Sequence, residues 1–129
     1  MSRKQCIGGA LEINGRKLSL SRAVRADGLI FLTGQVPMRD GVPMTDGSIE
    51  EQTRSCIEQI RKTLGECGCD LGDVVKSTVW LKDREDFAGF NAVYSEYFPD
   101  EPPARTGLVC DFLVDIRVEI ECIALAPDE

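Results

Sequence analysis

The chain begins with hydrophobic and polar positions that alternate with the two-residue period of β-strands. Residues 10–13 and 17–20 lie on either side of Asn14-Gly15, a strong signal for a two-residue hairpin turn, and residues 21–25 precede a second turn at 26–28. The apolar run at residues 29–32 then predicts a strand that is covered on both faces. The first quarter of the chain is therefore predicted to form antiparallel hairpins.

A long amphipathic helix is predicted after a loop over residues 38–47, which are rich in Asp, Gly and Pro. Ser48 and Glu51 have the spacing of a capping box, which marks the start of a helix. Apolar and small side chains then recur every three or four residues and form one helical stripe: Ile49, Thr53, Cys56, Ile57, Ile60, Leu64 and Cys67. Gly68 is predicted to end this helix.

The second half repeats the change from strand to helix. Residues 73–81 are rich in β-forming side chains, and a second helix is predicted from a cap at Asp83 to a stop at Pro99. One face of this helix is aromatic: Phe87, Phe90, Tyr94, Tyr97 and Phe98. Strands follow at residues 104–109 and 116–125. This order predicts a single α+β domain over residues 1–129, with two helices packed on one face of a mostly antiparallel sheet.

Composition narrows the possible chemistry. None of the 129 residues is histidine, which removes the usual general base near neutral pH and the commonest metal ligand. A net charge of −7 argues against nucleic acid as the main partner, because phosphate binding needs a basic surface. No apolar run is long enough to span a membrane, and the polar N-terminus lacks the apolar core of a signal peptide, so we expect a cytoplasmic protein.

In a reducing cytoplasm the six cysteines are expected to be free thiols that pack as small hydrophobic residues: Cys6, Cys56, Cys67, Cys69, Cys110 and Cys122. The Cys67-Gly68-Cys69 pair has no second pair and no histidine to complete a tetrahedral site. We therefore expect no bound metal. Cys110, close to the strand at residues 104–109, is the thiol most worth testing for reactivity, although an unreactive buried role is favoured.

The last predicted strand contains a candidate acid. Its residues alternate between an apolar set and a polar set: Val118, Ile120 and Cys122 on one face, and Arg117, Glu119 and Glu121 on the other. Two interpretations are open: a sheet with one side in water, or a polar face that lies against another subunit and leaves a carboxylate in a cleft. In the second, partial burial would raise the carboxyl pKa and make the group a usable acid or base.

Arg105 is a candidate anion-binding residue, because the stiff segment at residues 102–104 leads into it and its guanidinium can hold a carboxylate by two parallel hydrogen bonds. The alternative is a surface or salt-bridging arginine. Gly107 lies on the same face of a regular strand, where the missing side chain either leaves room beside Arg105 or serves packing.

Four further positions have two possible roles. Thr33 and Gly34 end the apolar strand and either offer a hydroxyl and a backbone N–H to a ligand or form a simple turn. Asn91 and Tyr94 lie three residues apart and are neighbours on the second helix. Tyr94 is expected in the core, and Asn91 at the edge of the apolar stripe.

Several segments of the chain resemble the RidA (YjgF) family over about residues 21–126. They are TGQVP at 33–37, VKSTVWLKD at 75–83, DF at 86–87, FNAVY at 90–94, PART at 103–106 and VEIECIA at 118–124. The resemblance implies a chorismate-mutase-like α+β fold and a homotrimer with ligand clefts between subunits. It also implies a deaminase that acts as a hydrolase on 2-imino or enamine acids such as 2-iminobutanoate and 2-iminopropanoate, without a cofactor, and releases 2-keto acids and ammonia.

The same resemblance assigns roles to single residues. It implies that Arg105 binds the substrate carboxylate, that Glu119 orients or activates the attacking water, and that Thr33 and Gly34 line the cleft. We add Gly107 and Asn91 as candidate substrate-binding residues, with Arg105 and Glu119 as the catalytic pair.

Two departures from the family pattern bear on substrate and rate. Strongly active members carry cysteine where this chain has Gly107, and tyrosine where it has Leu20 or Ser21. Alternative functions are a non-enzymatic trimer that binds a small carboxylate or regulates another enzyme, and a pathway-specific member for which Gly107 opens the pocket to a larger substrate. A ribonuclease role is the least compatible with the acidic charge and the absence of histidine.

Overall fold

The computed structural model describes residues 3–13 and 15–128. The strands are β1 (Lys4–Ile13), β2 (Arg16–Ala26), β3 (Leu29–Leu32), β4 (Met38–Arg39), β5 (Val42–Pro43), β6 (Val74–Leu81), β7 (Ala104–Val109) and β8 (Val118–Leu125), and the helices are α1 (Ile49–Glu66) and α2 (Phe87–Tyr97). Six strands form one sheet in the order β1-β2-β3-β8-β6-β7, and the short β4 and β5 pair with each other within the predicted loop. All neighbours in the large sheet are antiparallel except β6 and β7. The predicted α+β fold is confirmed.

The first hairpin is longer than the alternation indicated. β1 begins at Lys4 rather than at residue 10, and its first part pairs with the end of β2, where Ile7 lies opposite Ala23. Gly8 and Gly9 have positive φ and interrupt the register, which explains why the two-residue period was not visible there. The predicted turn lies between β1 and β2, but Asn14 is outside the described residues.

Helix α1 begins as predicted. Ser48 accepts a hydrogen bond from the Glu51 N–H, and the Glu51 carboxylate accepts one from the Ser48 N–H, so both halves of the capping box are present. Gly68, one residue after the C-cap, has a φ of +77°, a left-handed conformation that favours glycine. The helix therefore ends where its sequence signals place the end.

Helix α2 starts later than expected. Asp83 precedes a short 3₁₀ turn over Arg84–Asp86 and makes no side-chain capping bond, and the α-helix itself begins at Phe87. Its aromatic stripe packs inward: ring centroids are 5.4 Å apart for Phe90 and Tyr94, and 4.5 Å apart for Tyr94 and Phe98. The aromatic spacing predicted the helix, and the cap was assigned three residues too early, since the N-cap of α2 is Asp86.

Both helices cover the same face of the sheet, and the core lies between the two layers. The alternation of β8 is confirmed, since Val118 and Ile120 are almost fully buried while Glu119 lies on the opposite face. The prediction that β3 is covered on both faces is wrong for this chain: Ile30 faces the helices, but Phe31 is 42% exposed. An apolar run shows only that both faces are apolar, and here no layer packs on the second one.

The structure describes all six cysteines and both helices. All six cysteines are free thiols, and three of them (Cys56, Cys69 and Cys122) are buried. Within residues 3–13 and 15–128, no cluster of Cys, Asp or Glu side chains has the geometry of a metal site. Neither α1 nor α2 is both long and apolar enough to cross a bilayer.

Candidate active site

The Arg105 side chain lies on the edge strand β7 and covers an aromatic surface on α2. Its Cζ is 4.7 Å from the Tyr94 ring centroid, 5.5 Å from that of Phe90 and 5.8 Å from that of Phe87. These are cation–π distances, and they hold the guanidinium without neutralising it. Arg105 forms no salt bridge within the described part of the chain, so its hydrogen-bond donors remain available to an anion.

Tyr94 supports Arg105 from inside the core, as its predicted core position requires. The residue is 4% exposed, and its hydroxyl donates a hydrogen bond of 2.8 Å to Oγ of Ser77, which is fully buried on β6. Ser77 also lies opposite Arg105 in the parallel β6–β7 register. Burial raises the pKa of Tyr94, so the hydroxyl stays protonated near neutral pH.

Two open cavities lie beside Arg105. One, of about 410 Å³, is lined by Gly107 and mostly apolar side chains. The other, of about 400 Å³, is lined by Asn91, the edge of Tyr94 and residues 102–103. Arg105 therefore lines both cavities, with Gly107 in the first and Asn91 in the second, and a substrate-binding role for these residues stays a prediction.

Glu119 and Gly34 form a second cluster on the other face of the sheet. Gln35 and Ile120 exchange backbone hydrogen bonds, 2.7 Å and 3.1 Å, and this bridge holds the loop after β3 against β8. The Glu119 carboxylate lies so close to the Gly34 backbone that a Cβ atom at residue 34 would collide with Oε2. The absence of a side chain at residue 34 thus lets the carboxylate lie against the backbone, and no positive φ angle is involved.

Thr33 has a structural role in this chain. Its hydroxyl donates a 2.5 Å hydrogen bond to the Ser21 carbonyl, and its backbone N–H donates to the Arg22 carbonyl at 3.0 Å. The hydroxyl that we considered for ligand binding is therefore engaged in joining β2 to the end of β3. Gly34 is the member of this pair that lies beside the candidate acid.

The half-buried position of Glu119 changes its proton affinity. Desolvation raises the pKa of the Glu119 carboxyl above its usual value, and the negative charge of Glu121 raises it further. The single chain alone therefore half-buries this carboxyl, and its use as an acid or base in a cleft between subunits stays a prediction. No such shift could be derived from the strand alternation alone.

Arg105 and Glu119 do not meet within one chain. The β6–β7 register places Arg105 beside Ser77 on the helix-covered face, whereas Glu119 lies opposite Trp80 on β8 and faces away from the helices. Side chains on opposite faces of one sheet are separated by its backbone. Within one chain, the two residues therefore belong to two separate clusters.

The aromatic support under Arg105 was not identified from the sequence. The spacing placed Phe87, Phe90 and Tyr94 on one face of α2, but it did not indicate which charged residue would lie above them. The available signal was the order β6-α2-β7, because a helix that connects two parallel neighbouring strands packs across them. Cys110, the thiol selected for testing, is half-buried at the end of β7, where its N–H donates to the Leu81 carbonyl at 2.9 Å.

The fold and the candidate site together describe a class of α+β protein. Its members have one six-stranded sheet, one helical layer and, on the edge strand, an arginine that can bind an anion. A family model described as Endoribonuclease L-PSP matches residues 16–126, which is most of the chain. The chain therefore belongs to this family, the RidA/YjgF family that the sequence motifs resemble.

Known proteins and structures agree with this assignment. The chain is 44% identical over 106 residues to a RutC family protein of Pyrococcus abyssi, covering 81% of this chain and 84% of the relative. It is 38% identical over 109 residues to the chloroplastic Reactive Intermediate Deaminase A of Arabidopsis thaliana, covering 81% of this chain and 57% of the relative. The crystal structure of yeast Mmf1 superposes with a TM-score of 0.87 at 28% identity, covering 96% of this chain and 99% of that one.

Proposed function

We propose that this protein hydrolyses 2-imino and enamine acids to 2-keto acids and ammonia, without a cofactor, at clefts between the subunits of a homotrimer. The observation that carries the proposal is the placement of Arg105, an exposed cation without an acidic partner among the described residues, beside two cavities. A free guanidinium at a cavity can bind a small carboxylate by two charge-assisted hydrogen bonds. The family includes a relative named Reactive Intermediate Deaminase A, which supports the same chemistry.

A site that uses both Arg105 and Glu119 requires a second protomer. The two side chains lie on opposite faces of the sheet, so one copy supplies the arginine and its neighbour the carboxylate. β7 is an edge strand whose six residues are all exposed, and the face that carries Phe31 is uncovered. Packing of a neighbouring protomer against these surfaces would bury apolar area and close the cleft.

The reaction needs little machinery, because a protonated imine is already electrophilic. Arg105 holds the carboxylate, and the Gly34 backbone N–H orients the imino group. Glu119 accepts a proton from water as the water oxygen bonds to C2 of the substrate, which gives a carbinolamine. Glu119 then returns the proton to nitrogen, the C–N bond breaks while the hydroxyl proton passes to the departing ammonia, and one 2-keto acid and one ammonium ion leave for each water consumed. A raised pKa of Glu119 suits this exchange.

A coupled assay tests the proposal. A serine or threonine dehydratase generates the 2-imino acid in solution, and release of the 2-keto acid is followed with and without this protein. The wild type is expected to accelerate release, whereas Arg105→Ala is expected to leave the spontaneous rate unchanged. Equal rates with the two proteins would remove the hydrolase proposal.

Arg105→Lys is the matched control, because lysine keeps the charge and loses the planar fork that binds a carboxylate at two points. Binding of a 2-keto acid by the wild type, with no acceleration of any imine, would instead favour the non-enzymatic carboxylate-binding trimer. We do not extend the family description Endoribonuclease to this chain, since its net charge of −7 and lack of histidine offer neither a basic RNA surface nor the usual base. A cytoplasmic location remains a prediction.

A further inference from the structure

The larger cavity beside Arg105 has the character of a side-chain pocket. Its volume is about 410 Å³, within the roughly 300–1,000 Å³ typical of small-molecule sites. Three buried side chains (Val79, Leu81 and Phe90) and three side chains that are each about half exposed (Phe87, Leu108 and Val109) supply its apolar lining. A cavity of this size and polarity is poorly filled by a methyl group and well filled by a branched or aromatic one.

The charges at this cavity favour an anionic occupant. Its lining contains two cations, Arg84 and Arg105, and no acidic residue, although the chain as a whole has a net charge of −7. Arg84 makes no ion pair within the described residues, whereas the neighbouring Lys82 bonds to Asp115 and Arg117 to Asp86. An organic anion with an apolar body therefore complements both the charge and the surface of the cavity.

Gly107 keeps this cavity open. The residue lies two positions after Arg105 on the same face of β7, next to the buried Val79 of β6. A Cβ atom at residue 107 would meet no heavy atom within 4 Å, and its φ is not in the left-handed region. Neither the backbone nor the packing thus requires glycine there, and a side chain at this position would enter the free volume.

We propose that Gly107 determines substrate specificity, and that the preferred substrates are 2-imino acids with a branched or aromatic side chain, which lies in this cavity while the carboxylate binds Arg105. This inference rests on the hydrolase function proposed above. It adds the chemical class of the substrate side chain and the residue that admits it.

Gly107→Val fills the cavity, and it should fold, because the residue is exposed on an edge strand and valine favours strands. Ala104→Val is the matched control: it adds a similar volume to the same exposed strand at a position that faces away from the cavity. An amino-acid oxidase with catalase generates the imino acids of leucine and alanine, and 2-keto acid release is measured for each. Binding of 4-methyl-2-oxopentanoate and of pyruvate is measured by calorimetry on the same three proteins.

The wild type is expected to have a higher kcat/KM for the leucine-derived imine than for the alanine-derived one. Gly107→Val should lower the leucine-derived value about tenfold or more relative to the alanine-derived value, with Ala104→Val like the wild type. Acceleration of the alanine-derived imine alone, or an equal loss of both in Gly107→Val, would overturn the specificity inference and leave the hydrolase function standing. If 4-methyl-2-oxopentanoate binds more tightly than pyruvate in a Gly107-dependent way but no imine is turned over, the pocket is supported and the hydrolase function is overturned. Absence of both binding and turnover would overturn the pocket and the hydrolase function.

Discussion

The Arg105 cluster and the Glu119 cluster lie on opposite faces of one sheet and differ in how they hold a charge. Arg105 is exposed on an edge strand, supported by aromatic rings and free of any acidic partner among the described residues. Glu119 is half-buried on the inner strand β8, and its carboxylate lies against the Gly34 backbone. The first arrangement keeps a permanent charge available to a ligand, and the second changes the affinity of an acid for its proton. The groups proposed for carboxylate binding and for proton transfer thus lie on different faces of the sheet.

The largest expected effect tests whether the two clusters act together. Arg105→Ala and Glu119→Gln should each lower kcat/KM by about 10²-fold or more. Co-expression of the two variants with different affinity tags, followed by two-step purification, should restore activity, because some interfaces then combine an intact arginine with an intact glutamate. The activity of the mixed oligomers is compared with that of each variant alone. Mixed oligomers no more active than either variant would show that the clusters do not form one site.

The pH dependence separates the two roles. Because burial raises the pKa of Glu119, the fraction of carboxylate able to accept a proton falls as the pH drops through that raised value. After subtraction of the uncatalysed rate, kcat/KM of the wild type should rise with pH through a pKa above the usual glutamate value. Glu119→Gln should remove this limb of the profile.

Glu121→Gln refines this test. The charge of Glu121 is the second cause of the shift, so its removal should move the limb to lower pH without abolishing it. If the rise of kcat/KM with pH persists unchanged in Glu119→Gln, another group titrates. The acid–base role would then not belong to the Glu119 cluster.

A smaller effect is expected from displacing the carboxylate. Gly34→Ala places a Cβ atom where Oε2 of Glu119 lies, and the flexible end of the glutamate can move aside at little cost in stability. We expect a decrease in kcat of about tenfold with little change in KM or melting temperature. Gly28→Ala is the control, since its Cβ would meet nothing within 4 Å. An increase in KM with kcat unchanged would instead indicate that Gly34 takes part in binding the substrate carboxylate.

The smallest expected effect concerns the support under Arg105. Tyr94→Phe removes the hydrogen bond to Ser77 and leaves the buried Ser77 hydroxyl with only its 3.6 Å contact to Sγ of Cys122, which should lower the free energy of unfolding by about 1 kcal/mol, measured by urea denaturation. Because the ring remains, binding of a 2-keto acid should change less than about threefold. Tyr94→Leu removes the ring as well and should weaken binding further. Loss of turnover in Tyr94→Phe would mean that the hydroxyl takes part in the reaction.

Local signals in the sequence were sufficient for most of the fold. The capping box at Ser48, the aromatic spacing of α2 and the alternation of β8 each reflect interactions within a few residues, and all three predicted the observed elements. The start of β1 and the cap of α2 were misplaced, because glycines interrupted the strand period in one case and a 3₁₀ turn separated Asp83 from the helix in the other.

The sequence also indicated residues that are chemically suited to the proposed reaction: Arg105 as a possible anion-binding residue and a carboxylate on the last strand as a possible acid or base, with the family resemblance selecting Glu119. Only the tertiary structure decided that one lies on aromatic rings and the other against Gly34, on opposite faces of the sheet. Such placement depends on strand order and register, which arise from packing between segments far apart in the chain. A strand's alternation shows which side chains share a face, and the neighbouring strands and helices determine what that face meets.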